Sequence, residues 1–175
     1  MFANQAIDHL EPSEQLDFTP LETRWITLRR VVYWSIALFV VVIHAAFFLV
    51  DSHLELALYS VLGVQIAAWV ITVLFTLIAL RVTIADPRKA YLLREHDCSY
   101  RRGIIFKKNT TQPIVRIQHV EINQGPLERK YQLASLAVYS AGGSAHTFMI
   151  PGLDHERAKA MRQFILSHKE ASSHV

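Results

Sequence analysis

Two long apolar runs dominate the hydrophobic pattern of this 175-residue chain. Neither residues 31–50 nor residues 56–80 include an Asp, Glu, Lys or Arg. A helix of about 20 apolar residues crosses the hydrocarbon core of a bilayer, so each run is long enough to span it. Residues 51–55 alone separate the runs. The pattern therefore predicts a transmembrane helical hairpin over residues 24–80, with spans at about 31–50 and 56–80.

The charges beside the two spans predict their orientation. Basic residues flank the outer ends of the runs, whereas residues 51–55 contain no Lys or Arg; the flanking residues are Arg24, Arg29, Arg30, Arg81, Arg88 and Lys89. Basic residues in short loops stay on the cytoplasmic side. We therefore expect a multi-pass protein of the inner (cytoplasmic) membrane with both termini cytoplasmic. The single cysteine, Cys98, would then lie in a reducing compartment.

The N-terminal residues 1–23 carry five acidic residues and no Lys or Arg. This composition, poor in aliphatic side chains, predicts a mostly disordered cytoplasmic tail. A cleaved signal peptide begins with a basic region and a short apolar core. Because this start is acidic and the first apolar run is long, we expect the hairpin to be retained.

Few polar side chains interrupt the spans, and two of them stand at similar depth. His44 and Gln65 differ in depth by about 4–5 Å at the rise of an α-helix, so a hydrogen bond between them would fix the register of the hairpin. A proton relay is the functional alternative. It needs a chain of titratable groups, and the spans offer one imidazole and no carboxylate. The structural interpretation is therefore favoured.

From residue 82 onward, short apolar runs alternate with turn residues. They predict strands, a short helical stretch that starts at Pro126, and a C-terminal helix capped by Asp154. Ala158, Met161 and Ile165 form the apolar face of that last helix. Residues 81–175 are thus predicted to form a mainly antiparallel β domain capped by an α-helix; its strands are residues 90–94, 98–105, 110–112, 119–124, 136–140 and 146–150.

Four sequence blocks carry a resemblance to a known family. They are Pro-Ile-Val-Arg-Ile-Gln-His-Val at 113–120, Gln-Gly-Pro-Leu-Glu-Arg-Lys-Tyr at 124–131, Leu-Ala-Ser-Leu-Ala-Val-Tyr-Ser-Ala-Gly-Gly at 133–143 and Ile-Pro-Gly-Leu at 150–153. In this order they resemble the YdbS-like bacterial pleckstrin-homology (PH) family, over residues 81–166. The resemblance implies a curled sheet of roughly seven strands, plugged by the last helix, and no catalytic residues. Gln132 stands where that pattern usually has Gly.

Motifs for catalysis and for metal binding are missing from the sequence. It has no G-x-S-x-G, no Walker A loop, no H-E-x-x-H and no C-x-x-C, which are the motifs that mark nucleophiles, phosphate loops and zinc sites. We therefore predict no enzyme activity, no catalytic residue, no cofactor and no metal. Nucleic-acid binding would need a basic stripe with stacking aromatics, whereas the last helix is mixed in charge, so nucleic acid is not an expected partner.

One basic cluster invites two interpretations. Arg101, Arg102, Lys107 and Lys108 flank Ile104, Ile105 and Phe106. The apolar side chains would dip into a membrane while the cations contact anionic headgroups, each contributing about 1 kcal/mol. Alternatively, Ile104 and Phe106 belong to the core and the cations form a solvated face. The second interpretation is favoured here, because sheet cores need branched and aromatic residues.

These observations predict a membrane-anchored, non-catalytic PH-like interaction or scaffold module at the cytoplasmic face. Its expected partners are the lipid bilayer and other membrane proteins, among them a larger PH-like relative or further copies of this chain. The alternatives are a direct reader of anionic lipid headgroups and an accessory subunit of a transporter.

Overall fold

A computed structural model describes residues 17–54, 62–140 and 148–173 of the chain. Two long helices precede a β domain that is closed by a third long helix. The elements are β1 (Thr19–Pro20), α1 (Thr23–Leu54), α2 (Leu62–Ala85), β2 (Ala90–Leu93), β3 (Asp97–Arg102), β4 (Lys108–Pro113), β5 (Ile117–Asn123), α3 (Pro126–Lys130), β6 (Leu133–Ser140), β7 (Phe148–Asp154) and α4 (His155–Ser173). Short 3-10 turns at Asp86–Arg88 and Ile114–Arg116 link α2 to β2 and β4 to β5.

The two N-terminal helices form the predicted apolar hairpin, and both are long and apolar enough to cross a membrane. They pack through Ala37 and Ala79, which are both buried, since small side chains let helices approach closely. Helix α1 continues through Leu54, so residues 51–54, expected in the loop that connects the two spans, are helical. Glu55 and residues 56–61, where the second span was predicted to begin, lie outside the described residues.

Seven strands form two antiparallel sheets among the described residues, in the orders β1-β2-β3-β4 and β5-β6-β7. Six of these described strands follow α2, where the resemblance implied a single sheet of roughly seven, and the sheet is divided in two at the 3-10 turn after Pro113. Proline has no backbone N–H to donate to a sheet. Ile114 and Ile117, on either side of the bend, are both buried and direct the chain around the core.

Helix α4 covers the core in the predicted way. Ala158, Met161 and Ile165 are buried in the core, where α4 packs on β5, β6 and β7. The backbone N–H of Glu156 donates to the Asp154 carboxylate at 3.2 Å, which caps the first turn of the helix. The three apolar positions share one face because they repeat at three- and four-residue intervals.

One residue departs from ordinary backbone geometry between α3 and β6. Gln132 has a φ of 55°, the left-handed conformation that Gly adopts without strain. Its carbonyl accepts a hydrogen bond from the His155 backbone N–H at 2.9 Å, so the strained residue ties this turn to the start of α4.

The segment before α1 belongs to the β domain. Residues 17–22 were expected in a disordered tail, yet β1 pairs with β2, with Thr19 opposite Tyr91. Leu21 is buried in the core. The acidic composition of residues 1–23 obscured this single apolar anchor. Residues 1–16 of the predicted tail lie outside the described residues.

The first turn of α1 also enters that core. Trp25 is only 3% exposed and packs in the cluster that includes Leu153 and Ile165. Gly152 lies against the indole, with a φ of +63°, and a Cβ at this position would lie 2.8 Å from the Cβ of Trp25. The Glu22 backbone N–H donates to the Gly152 carbonyl at 3.1 Å. The membrane helix and the β domain therefore share one core.

Replacing Gly152 with Ala should destabilise the domain by about 2–4 kcal/mol. The left-handed backbone contributes about 1 kcal/mol to this cost, and overpacking against Trp25 contributes about 1–3 kcal/mol. The readout is the rate at which a maleimide labels Cys98 in detergent micelles, because this buried thiol is exposed only when the domain opens. Labelling should accelerate about 30- to 1000-fold.

Gly63→Ala is the matched control, since a Cβ at Gly63 meets nothing within 4 Å. This variant should be labelled at the wild-type rate. Equal labelling rates in the two glycine variants would show that the contact between Trp25 and Gly152 does not hold the domain closed.

Candidate functional site

The first sheet begins beside the ends of the two long helices that adjoin the domain, where α1 starts and α2 stops. Helix α2 leads through the 3-10 turn Asp86–Arg88 directly into β2. In the register of the sheet, Ala90 stands opposite Arg101, and Leu93 stands opposite Cys98. The β3–β4 hairpin therefore has its tip beside the domain-side ends of α1 and α2, and its other end lies away from them.

Two large apolar side chains are exposed at this hairpin tip. Ile105 is 84% exposed and Phe106 is 90% exposed. Strand β3 ends at Arg102, so residues 103–105, predicted as strand, belong to the turn, in which Gly103 has a φ of +119°. The interpretation that placed Phe106 in the core is wrong, and Ile104 is only partly buried. The sheet core is filled instead by Tyr100 and Cys98.

The four cations of the basic cluster separate into three environments. Arg102 and Lys108 are direct cross-strand partners at the base of the hairpin. Arg101 contacts the ring of Phe18, with its guanidinium carbon 3.9 Å from the ring centroid. Lys107 is exposed at the tip. The sequence did not show this separation, because it depends on where β3 ends and on the position of Phe18, which is distant in the sequence.

A basic pocket of about 340 Å³ lies between the β3–β4 hairpin and the ends of α1 and α2 that adjoin the β domain. Its cationic side chains come from three separate segments: Arg29 from α1, Arg81 and Lys89 from the end of α2 and the turn beyond it, and Arg102 and Lys108 from the hairpin. Asp86 is the carboxylate among the lining residues. Val82, Ala85, Ile104 and Phe106 add an apolar wall.

Asp86 holds two of these cations. Its carboxylate is 1% exposed and lies 2.7 Å from the Lys89 ammonium and 3.1 Å from the Arg29 guanidinium. The Arg29 side chain also packs over the Trp25 ring, 4.8 Å from its centroid. Residues from α1, the 3-10 turn and the domain core therefore fix one wall of the pocket.

A groove between helix α1 and the domain was also not predicted. Tyr131, which follows α3, lines a groove with Thr27 and Val31 of α1. Tyrosine is enriched at the interface between membrane and water, and Val31 begins the first apolar run. The Pro126 start of α3 was visible in the sequence, but the position of Tyr131 beside the membrane helix depends on tertiary packing.

Between the two transmembrane helices, His44 and Gln65 line the same cavity of about 440 Å³, together with Trp69 and Thr72. The His44 Nδ1 lies 3.1 Å from the Thr72 hydroxyl oxygen. Because that hydroxyl donates to the Ala68 carbonyl at 2.9 Å, the ring nitrogen acts as the donor. The predicted bond between His44 and Gln65 stays a prediction, whereas the contact with Thr72 joins the two helices.

The described part of the chain places few reactive groups together. No three of its His, Cys, Asp and Glu side chains converge on a point where they would hold a metal ion. Burial raises the pKa of the Cys98 thiol to about 12, so at neutral pH the thiol is protonated and poorly nucleophilic. The Arg24 guanidinium, which hydrogen-bonds to Asp154 at 2.9 Å, lowers the pKa of that carboxyl.

Comparison with known proteins gives two matches. The profile of the family described as Bacterial PH domain matches residues 35–169. A protein of Bacillus subtilis (strain 168), named UPF0699 transmembrane protein YdbS, is 32% identical over 107 residues. This alignment covers 61% of the present chain and 65% of that relative, just under two thirds of its length. No solved structure matches the chain.

Proposed function

This chain belongs to the bacterial PH domain family, and from that premise we propose that it is a membrane-anchored, non-catalytic interaction module at the cytoplasmic face of the inner membrane. The observation that carries the proposal is the exposed hairpin tip beside the helix ends. Ile105 and Phe106 are almost fully exposed there. In a transmembrane protein, large apolar side chains at this position reach the interface of the bilayer.

The orientation of the module follows from the charges around the two transmembrane helices. Basic residues gather where α1 begins and α2 ends, and residues 51–62 contain no Lys or Arg. Positive charge is retained in the cytoplasm, so the β domain faces the inner leaflet. Lys107 and Lys108 then lie close to anionic headgroups, where each basic residue adds about 1 kcal/mol.

The transmembrane helical hairpin also offers a surface for a second copy of the chain. The cavity that contains His44, Gln65 and Thr72 faces outward from the two helices. A two-fold axis along the membrane normal places Gln65 of both copies at equal depth. A carboxamide has both donors and an acceptor and therefore pairs with its own kind. Such interhelical hydrogen bonds favour association within a membrane.

Topology is tested with single cysteines in a Cys98→Ser background. Ser52→Cys should react with a membrane-impermeant maleimide in intact cells, whereas Ser172→Cys should react only after the cells are lysed. The expected result follows from the distribution of Lys and Arg. The reverse labelling pattern would place the β domain outside the cytoplasm and would end the proposal.

Contact of the hairpin tip with lipid is tested in nanodiscs that contain anionic lipid. Phe106→Cys in the same background carries a fluorophore, and nitroxide-labelled lipids quench it when the fluorophore lies near the bilayer. Strong quenching is expected at this position.

Val115→Cys is the matched control. Val115 is also an exposed apolar side chain, but it lies beyond the far end of β4, a strand of six residues or about 20 Å. Its fluorophore should remain unquenched. Equal quenching at the two positions, or none at Phe106, would contradict membrane contact through the tip.

Self-association is tested by photo-crosslinking of two differently tagged copies expressed together. A photoreactive residue in place of Trp69, which lines the cavity, should give dimers that carry both tags. The matched control is Leu74, exposed about 140° around α2, where only lipid should be captured. Equal dimer yields at both positions, or crosslinks only to other proteins, would exclude the second copy as the partner at this surface.

A further inference from the structure

We infer that the basic pocket between the β3–β4 hairpin and the domain-side ends of α1 and α2 is a binding site for an anionic lipid whose headgroup carries two phosphates. This inference rests on the proposed position of the domain against the inner leaflet. It goes further in naming a ligand class and the side chains that select it.

Charge is the first argument. Five cations and one carboxylate line the pocket. Asp86 pairs with Arg29 and Lys89, whereas no carboxylate of the described residues lies within 4 Å of Arg81, Arg102 or Lys108. Three cations without a counterion match a headgroup with more than one negative charge. Arginine is suited to bind phosphate, because its planar group donates two parallel hydrogen bonds.

The strand register is the second argument. Arg102 and Lys108 stand directly opposite each other across β3 and β4. Like charges in such a cross-strand pair destabilise a sheet. An anion bound between them reduces this repulsion, so the pairing of Arg102 with Lys108 favours an occupied pocket.

Shape and position identify the anion as part of a lipid. Val82, Ala85, Ile104 and Phe106 line the pocket beside the cations, and an apolar wall binds the glycerol and upper acyl carbons of a lipid. Arg81 directly follows the last residue of the second apolar run, which is the depth of the headgroups. The volume of about 340 Å³ equals roughly eleven waters of the liquid, more than a single phosphate group requires.

Part of the pocket is rigid before any ligand arrives. The buried Asp86 carboxylate holds Arg29 and Lys89 in place, and Trp25 supports Arg29 from below. Fixing side chains in advance reduces the entropy lost on binding. The ligand then has to order chiefly Arg81, Arg102 and Lys108.

The test is a lipid titration of the full chain in detergent micelles, followed by native mass spectrometry. Cardiolipin, which has two phosphates, is compared with phosphatidylglycerol at equal phosphate concentration. We expect the first cardiolipin to bind at least fivefold more tightly. Arg102→Gln and Lys108→Gln should each weaken this binding about fivefold, as expected for one basic residue near an anionic group.

Arg101→Gln is the matched control, because it removes the same charge one residue away, where Arg101 contacts Phe18 rather than the pocket. Its cardiolipin affinity should stay within twofold of wild type. Slow labelling of Cys98 shows that each variant is folded. Equal losses in Arg101→Gln and Arg102→Gln, or equal affinity for both lipids per phosphate, would overturn the inference.

A soluble anion is distinguished from a lipid by competition. Sodium pyrophosphate should displace cardiolipin no better than sodium sulfate at the same ionic strength, because neither contacts the apolar wall. Selective displacement by pyrophosphate would overturn the assignment to a lipid. The proposed function fails separately: if the fluorophore at residue 106 is unquenched while Arg102-dependent cardiolipin binding persists, the pocket stands and the contact of the tip with the membrane does not.

Discussion

The packing of Trp25 against Gly152 is the contact on which the arrangement of this protein depends. The indole belongs to a helix that continues across the membrane, and the glycine belongs to the last strand of the β domain. A flexible linker would leave the domain free to turn in any direction. Here the shared core fixes which edge of the domain faces the bilayer, and the basic pocket and the hairpin tip both lie on that edge.

Asp86 has a comparable role at the other connection between hairpin and domain. A buried carboxylate loses its hydration, and its ion pairs with Arg29 and Lys89 offset that cost only when their geometry is fixed. Nearby, the Trp34 indole and the Arg30 guanidinium both donate to Thr83 of α2, at 3.0 and 3.2 Å. These polar contacts hold the domain-side ends of α1 and α2 to each other and to the turn that leads into the domain.

The sequence predicted the features that follow from length and periodicity. The apolar helical hairpin, the approximate positions of the six strands after α2 and the buried face of α4 at Met161 and Ile165 could all be derived from it. Features set by tertiary packing were missed. A single leucine among acidic residues did not identify Leu21 as part of the core, and the exposure of Phe106 depended on where β3 ended. The pocket needed three segments that are distant in sequence, so no local pattern indicated it.

The shared core also sets an order of events during synthesis. Trp25 and Gly152 are 127 residues apart (152 − 25), which a ribosome translates in about 6–25 s at 5–20 residues per second. Once α2 has been made, through Ala85, the helical hairpin is complete, while the strand that covers Trp25 does not yet exist. During this time the Trp25 indole can lie at the interface between bilayer and water, where tryptophan is enriched. The membrane interface thus keeps Trp25 out of water until β7 has been synthesised. The β domain then folds around a tryptophan whose position the membrane helix has already fixed.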